Sequence, residues 1–455
     1  MARPRSRLLY RLATFLVRVL LAIFFRRLEQ DGVEKVPVDS PVLFAANHPN
    51  ELLDPFLVGC FYRGKVNFLA KSTLFAFPPV AWLLRALGVI PVYRQRDASS
   101  EMSKNEETFR ECFLVLERGE ALGIFPEGTT HAGPSLLPLK TGAARIALGA
   151  EARNQFALGV RIVPVGLNFL ERDVFRSDAV ALYGEAIDAQ AYRERYEADP
   201  QQAVRDLTAD IERGLRSLTV NLKEKEEELL LEKVKDIFKH ELKDYVPGKS
   251  ASDELMMTRH ITAAYYRMLE RDPERVRTLS RRIWGYLRLL REARIRPHVQ
   301  DMTAWSACRY LTRVVPLGVL GLPVALHGAF HNWLAYRIPG LYTDWTQLAE
   351  EEIATFKLAV GMITFPLLYA LQTAAVWYAF GGPIATLYLA TLPATGLFAL
   401  GYFEYARVFM LGMRSFFAFL TDFDFSRRLG ALRHEIRGEL AAIADDYLAD
   451  SADAP

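Results

Sequence analysis

Residues 41–55 read PVLFAANHPNELLDP. The unbroken apolar run Val42–Ala46 leads into a polar turn, Asn47-His48-Pro49-Asn50, and apolar residues then recur at helical spacing from Glu51 to Tyr62. A run without polar alternation is how a strand buried on both faces reads, and a strand that feeds straight into a helix is the repeating unit of an α/β layer fold. The same texture continues down the chain. Strands are predicted at Val66–Ala70, Val89–Tyr93, Ala121–Phe125, Ile162–Gly166 and Val180–Tyr183, with helices at Leu74–Leu87, Ser100–Glu117 and Lys140–Ala150 between them. The fold class is therefore α/β, a mixed and partly parallel sheet flanked by helices.

On either side of this region the texture changes. Upstream, Leu8–Phe25 is largely apolar but interrupted at its centre by Arg18 and lacks a small-residue cleavage site; its unbroken part is short, within Leu12–Phe25, and Arg3, Arg5, Arg7, Arg11, Arg26 and Arg27 flank that run. That pattern suits an amphipathic helix lying in a lipid interface, residues 1–30, with a short signal anchor as the other reading. Downstream of a catalytic domain at 31–188, a charged helical connector is expected over 189–312. It includes one long polar helix from about Pro200 to Tyr245, broken by Pro247-Gly248-Lys249-Ser250, and further helices from Asp253 to Arg296.

Residues 313–455 form the membrane region, with apolar segments at Val314–Leu334, Leu358–Phe380 and Ile384–Phe403. Gly381-Gly382-Pro383 alone joins the last two, so a transmembrane hairpin over 358–403 is expected. Arg407, Arg414, Arg427 and Arg428 then favour a cytoplasmic tail. A single crossing at 314–334 would set Arg309 and Arg313 on the wrong side, so that segment is read as re-entrant or interface-embedded.

The net charge of +2 on 455 residues gives no reason to expect nucleic acid. Cys60, Cys112 and Cys308 stand far apart, which argues against a disulfide framework and against a zinc site. A reducing compartment is the simpler reading.

Four stretches carry chemistry. Five residues separate His48 from Asp54 across a strand-to-helix turn, at the sheet edge where open α/β sheets bind ligands. A carboxylate that holds one imidazole nitrogen leaves the other as a general base toward an alcohol. Read alone, the pair is equally a loop histidine and a helix cap. In Ile124-Phe125-Pro126-Glu127-Gly128-Thr129-Thr130-His131, Gly128 and Thr129 leave amides open to an anion and Glu127 can meet a polyol hydroxyl; a plain turn is the alternative. Gly88-Val89-Ile90-Pro91-Val92-Tyr93-Arg94 delivers a guanidinium suited to phosphate, and Lys140 in Pro138-Leu139-Lys140-Thr141-Gly142 can add charge. Each basic residue by itself is also an ordinary solvated side chain.

In this order the stretches resemble the glycerolipid acyltransferase superfamily, to which the lysophosphatidate acyltransferases belong. His48 and Asp54 match its catalytic pair, Arg94 its second motif, Phe125-Pro126-Glu127-Gly128 its third and Ile162-Val163-Pro164-Val165 its fourth. The five-residue gap, where four is commonest, looks more like the fungal-type glycerol-3-phosphate and dihydroxyacetone-phosphate acyltransferases. The resemblance covers roughly residues 31–184. It implies His48 as general base, oriented by Asp54, and an acceptor held by Arg94, Glu127, Gly128, Thr129 and Lys140. It also implies acyl-CoA or acyl carrier protein as donor, with no cofactor, no metal and no covalent acyl-enzyme.

The partners expected are therefore membrane lipid, a phosphorylated glycerol acceptor and an acyl thioester donor. The location expected is the bacterial cytoplasmic membrane, with the catalytic domain on the cytoplasmic face. A 1-acylglycerol-3-phosphate acyltransferase is the nearest alternative, and an inactive membrane scaffold a remote one. No Gly-x-Ser-x-Gly elbow supports a serine hydrolase.

Overall fold

A computed structural model describes residues 4–93, 105–133, 135–169, 174–223, 226–227, 229–231, 233–235, 250–293, 304–421 and 423–452. The chain divides into two compact units. The first takes in Met1–Glu228, Gly248–Arg259 and Ala349–Thr355; the second takes in Leu229–Pro247, His260–Leu348 and Phe356–Pro455.

The first unit holds a sheet of eight strands: β1 (Arg27–Asp31), β2 (Val42–Ala46), β3 (Val66–Lys71), β4 (Ile90–Val92), β5 (Ala121–Ile124), β6 (Arg161–Phe169), β7 (Asp178–Tyr183) and β8 (Ile187–Asp188). Their order is β1-β7-β6-β2-β5-β3-β4, with β8 paired to β6. From β6 to β4 every neighbouring pair is parallel, and β7 and β8 run antiparallel to β6, so the sheet is mixed. The parallel part fixes the position of the site, because β2, β5, β3 and β4 all end at the same edge.

Seven helices of this unit are α1 (Pro4–Phe24), α2 (Leu53–Phe61), α3 (Pro78–Leu87), α4 (Asn105–Glu117), α5 (Gly142–Arg153), α6 (Arg193–Ala198) and α7 (Pro200–Leu218). Alternation along β2 divides the core. Leu43 and Ala45 join the cluster built with Cys112 and Leu116 of α4, Ile146 and Ala147 of α5, and Leu207 and Ile211 of α7. Phe44 points the other way, in edge contact with Tyr62 and Tyr183. Residues buried on both faces explain why β2 and β7 read as continuous apolar runs.

Two boundaries differ from expectation. The polar helix predicted to run from about Pro200 to Tyr245 ends at Leu218, where Leu218 and Val220 turn in to pack with Val180, Leu182 and Leu255. The residues of its Pro247–Lys249 break, and part of the charge run before it, lie outside the described residues. The first unit also begins before residue 31, since β1 pairs with β7 and Arg26 and Arg27 both bond Asp178.

The chain continues in α8 (Ala251–Arg271), α9 (Pro273–Ala293), α10 (Ala304–Thr346), α11 (Glu350–Phe380), α12 (Gly382–Thr421) and α13 (Phe423–Ala452). Ser250 starts α8 with a reciprocal cap: its hydroxyl accepts from Asp253 N–H at 3.0 Å, and Asp253 Oδ2 accepts from Ser250 N–H at 2.9 Å. In the second unit Leu279, Ile283 and Tyr286 of α9 form an apolar cluster with Leu429 and Ile436 of α13.

Glu350–Phe380 and Gly382–Arg407 are long and apolar enough to cross a membrane, and both stay largely exposed. Gly381, at φ 84°, separates them, and Tyr388 O–H donates to Gln372 Oε1 at 2.9 Å, so the chain folds back there as a hairpin requires. The chain is membrane-associated. Residues 314–334, for which a re-entrant or interface-embedded segment is expected, lie within the single helix α10. Part of α10 packs antiparallel along α12: Tyr402 O–H donates to Gly318 O at 2.7 Å, and Asn332 Nδ2 to Leu392 O at 3.1 Å.

Candidate active site

β2 ends at Ala46, and the chain leaves the carboxyl edge of the sheet through Asn47–Leu52. Asn47 prolongs the ladder with its side chain, donating to Leu167 O at 3.0 Å and accepting Leu167 N–H at 2.7 Å. The loop is thereby fixed to β6. The first turn of α2 then brings Asp54 under His48. Asp54 is fully buried, and its Oδ2 lies 2.8 Å from His48 Nδ1 and accepts Asn50 N–H at 2.7 Å. An oxygen that already accepts one N–H accepts the second from Nδ1–H, which leaves the lone pair on Nε2. The imidazole also stacks on Phe125, with centroids 4.0 Å apart and planes inclined by 13°.

β5 supplies the adjoining loop. Gly128 N–H donates to Phe125 O at 3.0 Å, and Gly128 sits at φ 71°, a left-handed conformation that favours glycine. A Cβ at Gly128 would stand 2.6 Å from Lys140 Nζ, so the lysine side chain lies across this turn. Lys140 N–H donates to Pro126 O at 2.8 Å, and His131 N–H to His48 O at 3.0 Å. The two loops are laced together.

Glu127 is the centre of that lacing. Its Oε1 accepts His48 N–H at 2.9 Å and its Oε2 accepts Leu137 N–H at 3.0 Å. Burial pushes its pKa up, against the pull of those two donors. Sequence reasoning predicts Glu127 as a ligand for an acceptor hydroxyl; in the structure each of its oxygens accepts a backbone N–H, so the side chain also ties the His48 backbone to this loop.

His48, Asp54, Glu127, Gly128 and Lys140 are therefore brought together. Thr129 follows in the same turn, with its hydroxyl donating to Thr130 O at 3.4 Å. Arg94 lies outside the described residues. The residue before it is held by reciprocal bonds: Tyr93 N–H donates to Asn105 Oδ1 at 3.0 Å, and Asn105 Nδ2 to Tyr93 O at 2.9 Å.

Sequence reasoning passed over Asn47, the stacking of Phe125, and Lys71. Lys71 ends β3, next to β5, and its Nζ stands 3.8 Å from Oε1 of Glu51, a half-buried residue at φ 33°. Burial pushes the Glu51 carboxyl up, against Lys71. Neighbouring parallel strands end at one edge, and that rule, applied to the strand predicted at Val66–Ala70, would have found Lys71. Among the described residues no group of three metal-ligating side chains occurs.

Residues 27–168 match the family model described as Acyltransferase. Over 291 residues the chain is 29% identical to glycerol-3-phosphate O-acyltransferase 2 of Saccharomyces cerevisiae, covering 59% of this chain and 38% of that protein. It is 24% identical over 474 residues to glycerol-3-phosphate O-acyltransferase 1 of the same yeast, covering 82% of this chain and 62% of that protein. The chain thus spans less than two thirds of either relative. A crystal structure of the 1-acyl-sn-glycerophosphate acyltransferase of Thermotoga maritima aligns over 49% of this chain and 86% of that one, at 19% identity and a TM-score of 0.36, a likeness too low to carry an argument.

Proposed function

We propose, with an acyltransferase-family domain at residues 27–168 as the premise, that this chain transfers a fatty-acyl group from a thioester to a hydroxyl of glycerol 3-phosphate or dihydroxyacetone phosphate. The observation that carries the reading is the 2.8 Å contact between His48 Nδ1 and the buried Asp54 carboxylate. It leaves Nε2 free to take a proton, and the Phe125 stack and the Glu127 bond to the His48 backbone fix where that nitrogen points.

In the reaction the acceptor hydroxyl gives its proton to Nε2 as its oxygen attacks the thioester carbonyl. Asp54 stabilises the imidazolium that forms. When the tetrahedral intermediate collapses, the C–S bond breaks and the imidazolium returns the proton to the departing thiolate. Lys140 and Lys71 put positive charge at this edge for the acceptor phosphate, with Arg94 assigned to the same task from its sequence position. Acyl-CoA and acyl carrier protein both fit as donor, and the step needs no cofactor.

The catalytic domain is assigned to the cytoplasmic face, supported by the basic residues from Arg407 onward. The expectation of a bacterial membrane draws no support from the two glycerol-3-phosphate O-acyltransferases named above, which are yeast proteins.

Purified protein offered palmitoyl-CoA with glycerol 3-phosphate, dihydroxyacetone phosphate or 1-acylglycerol 3-phosphate in parallel tests the reading. Preferential acylation of either of the first two supports it. Preference for the third selects the lysophospholipid reading, and no transfer with any acceptor or donor leaves the scaffold reading.

A further inference from the structure

Glu51 stands in the loop between β2 and α2 with its backbone at φ 33°, a conformation that a residue with a long side chain rarely adopts. Such an outlier persists only where its surroundings hold it, and it points to a use for the side chain that it aims. Its chain neighbours do the holding. Asn50 N–H donates to Asp54 Oδ2 at 2.7 Å, and Leu52 N–H to Thr355 Oγ1 at 3.3 Å.

The side chain is aimed at the reacting edge. Glu51 Oε1 lies 3.8 Å from Lys71 Nζ, too far for a hydrogen bond, and the carboxylate is within electrostatic reach of His48 as well. Glu351 and Glu352, in the first turn of α11, repel it. The Glu51 side chain is only 25% exposed, and among the described residues no donor hydrogen-bonds its carboxylate. A carboxylate that is mostly covered, faced by like charges and short of donors is costly to keep. A ligand hydroxyl supplies what it lacks.

The acceptor chemistry says which hydroxyl. Dihydroxyacetone phosphate has one hydroxyl, at the carbon farthest from its phosphate, so a site that serves both acceptors of the proposed reaction presents the terminal hydroxyl to His48. The phosphate, two carbons further on, goes to Lys71. The middle carbon then falls to the group that adjoins both, which is Glu51. In glycerol 3-phosphate that carbon carries a hydroxyl, which donates; in dihydroxyacetone phosphate it is a ketone, which only accepts.

We infer that Glu51 reads the middle carbon of the acceptor by accepting a hydrogen bond from the hydroxyl that does not react. Glu51 is thus a specificity-determining residue, and it narrows the acceptor to a vicinal diol phosphate, glycerol 3-phosphate, over its ketone counterpart. The inference rests on the proposed function and on Lys71 as the phosphate's partner. A hydrogen bond to a charged group of this kind is worth about 10–100-fold in discrimination.

The test measures kcat/KM of the full chain with palmitoyl-CoA and three acceptors: glycerol 3-phosphate, dihydroxyacetone phosphate, and 3-hydroxypropyl phosphate, which lacks only the middle hydroxyl. The wild-type protein should lose about 10–100-fold on going from the first to either of the others. In Glu51→Ala that gap should largely close, with the loss falling on glycerol 3-phosphate. A wild-type protein that takes 3-hydroxypropyl phosphate as well as glycerol 3-phosphate overturns the inference, whether or not the variant folds. A variant that slows all three acceptors by one factor also overturns it, because that is what lost support for Lys71 or for the loop would do. In both cases transfer to the small acceptors persists and the proposed function stands. A wild-type protein that acylates none of the three fails the proposed function itself and takes the inference with it.

Discussion

At the residue scale the molecule turns on how firmly one imidazole is held. His48 has a carboxylate at Nδ1, an aromatic ring against its face and a carboxylate on its own backbone N–H. A positioned general base contributes about 10²–10⁴-fold to rate. His48→Ala should lose a factor of that order while remaining folded in the membrane, and more than a tenth of the original transfer would contradict the assignment. Glu127→Gln tests the lacing. An amide group would turn its N–H₂ toward one of the two backbone donors, leaving a buried donor unsatisfied at a cost of about 1–3 kcal/mol. A lower melting temperature in detergent, together with slower transfer, is the expected result; lost transfer with unchanged melting would make Glu127 a substrate ligand after all.

At the scale of elements, the clamp that ties β1 to β7 carries its own pH signature. Burial alone would raise Asp178, but hydrogen bonds from Arg26 and Arg27 outweigh it and hold the carboxyl at about 2. Its ordinary value of 3.8 is higher, so the stabilisation is fully present above that value and disappears as pH falls from there toward 2. Both arginines are partly exposed, which screens the interaction, so Asp178→Asn should cost about 1–2 kcal/mol at pH 7 and about half as much near pH 3. Melting curves of the two proteins at both values measure this. In the membrane region, Tyr388 and Gln372 bond each other and His331. Polar contacts of this kind average about 0.6 kcal/mol in bilayers, so Gln372→Leu should weaken folding in lipid by that order rather than abolish it. A loss several times larger would mark the cluster as more than an interhelical contact.

The same scale shows what the sequence made legible. Val42–Ala46 has the bounds expected of it, because a strand covered on both sides leaves an uninterrupted apolar record. β1 is Arg-Leu-Glu-Gln-Asp, an edge strand with no such record; its place is set by pairing with β7, which no local pattern announces. His48 and Asp54 could be read because six positions across a strand-to-helix turn bring a side chain back to its loop. Asn47 and the backbone bonds of Glu127 could not, since they depend on which loops the sheet order makes neighbours.

For the whole molecule, the hairpin predicts sidedness. A cysteine at Gly381 should react with an impermeant reagent only from the face opposite the catalytic domain, and one at Arg407 only from the domain's own face; identical labelling of both would remove the crossing. Cysteines at Arg309 and Arg337 are expected on one side, and opposite sides would replace the re-entrant or interface-embedded reading by a crossing. The end of α11 nearest Lys357 belongs with the catalytic domain, since Ala349–Thr355 is part of the first unit and Leu52 N–H donates to Thr355 Oγ1 at 3.3 Å. That contact bears on anyone who wants a water-soluble enzyme from this chain. Stopping the polypeptide anywhere before residue 349 discards a strut of the very loop that holds the imidazole, so a shortened protein needs Ala349–Thr355 grafted back, or its low turnover will be mistaken for a need for lipid.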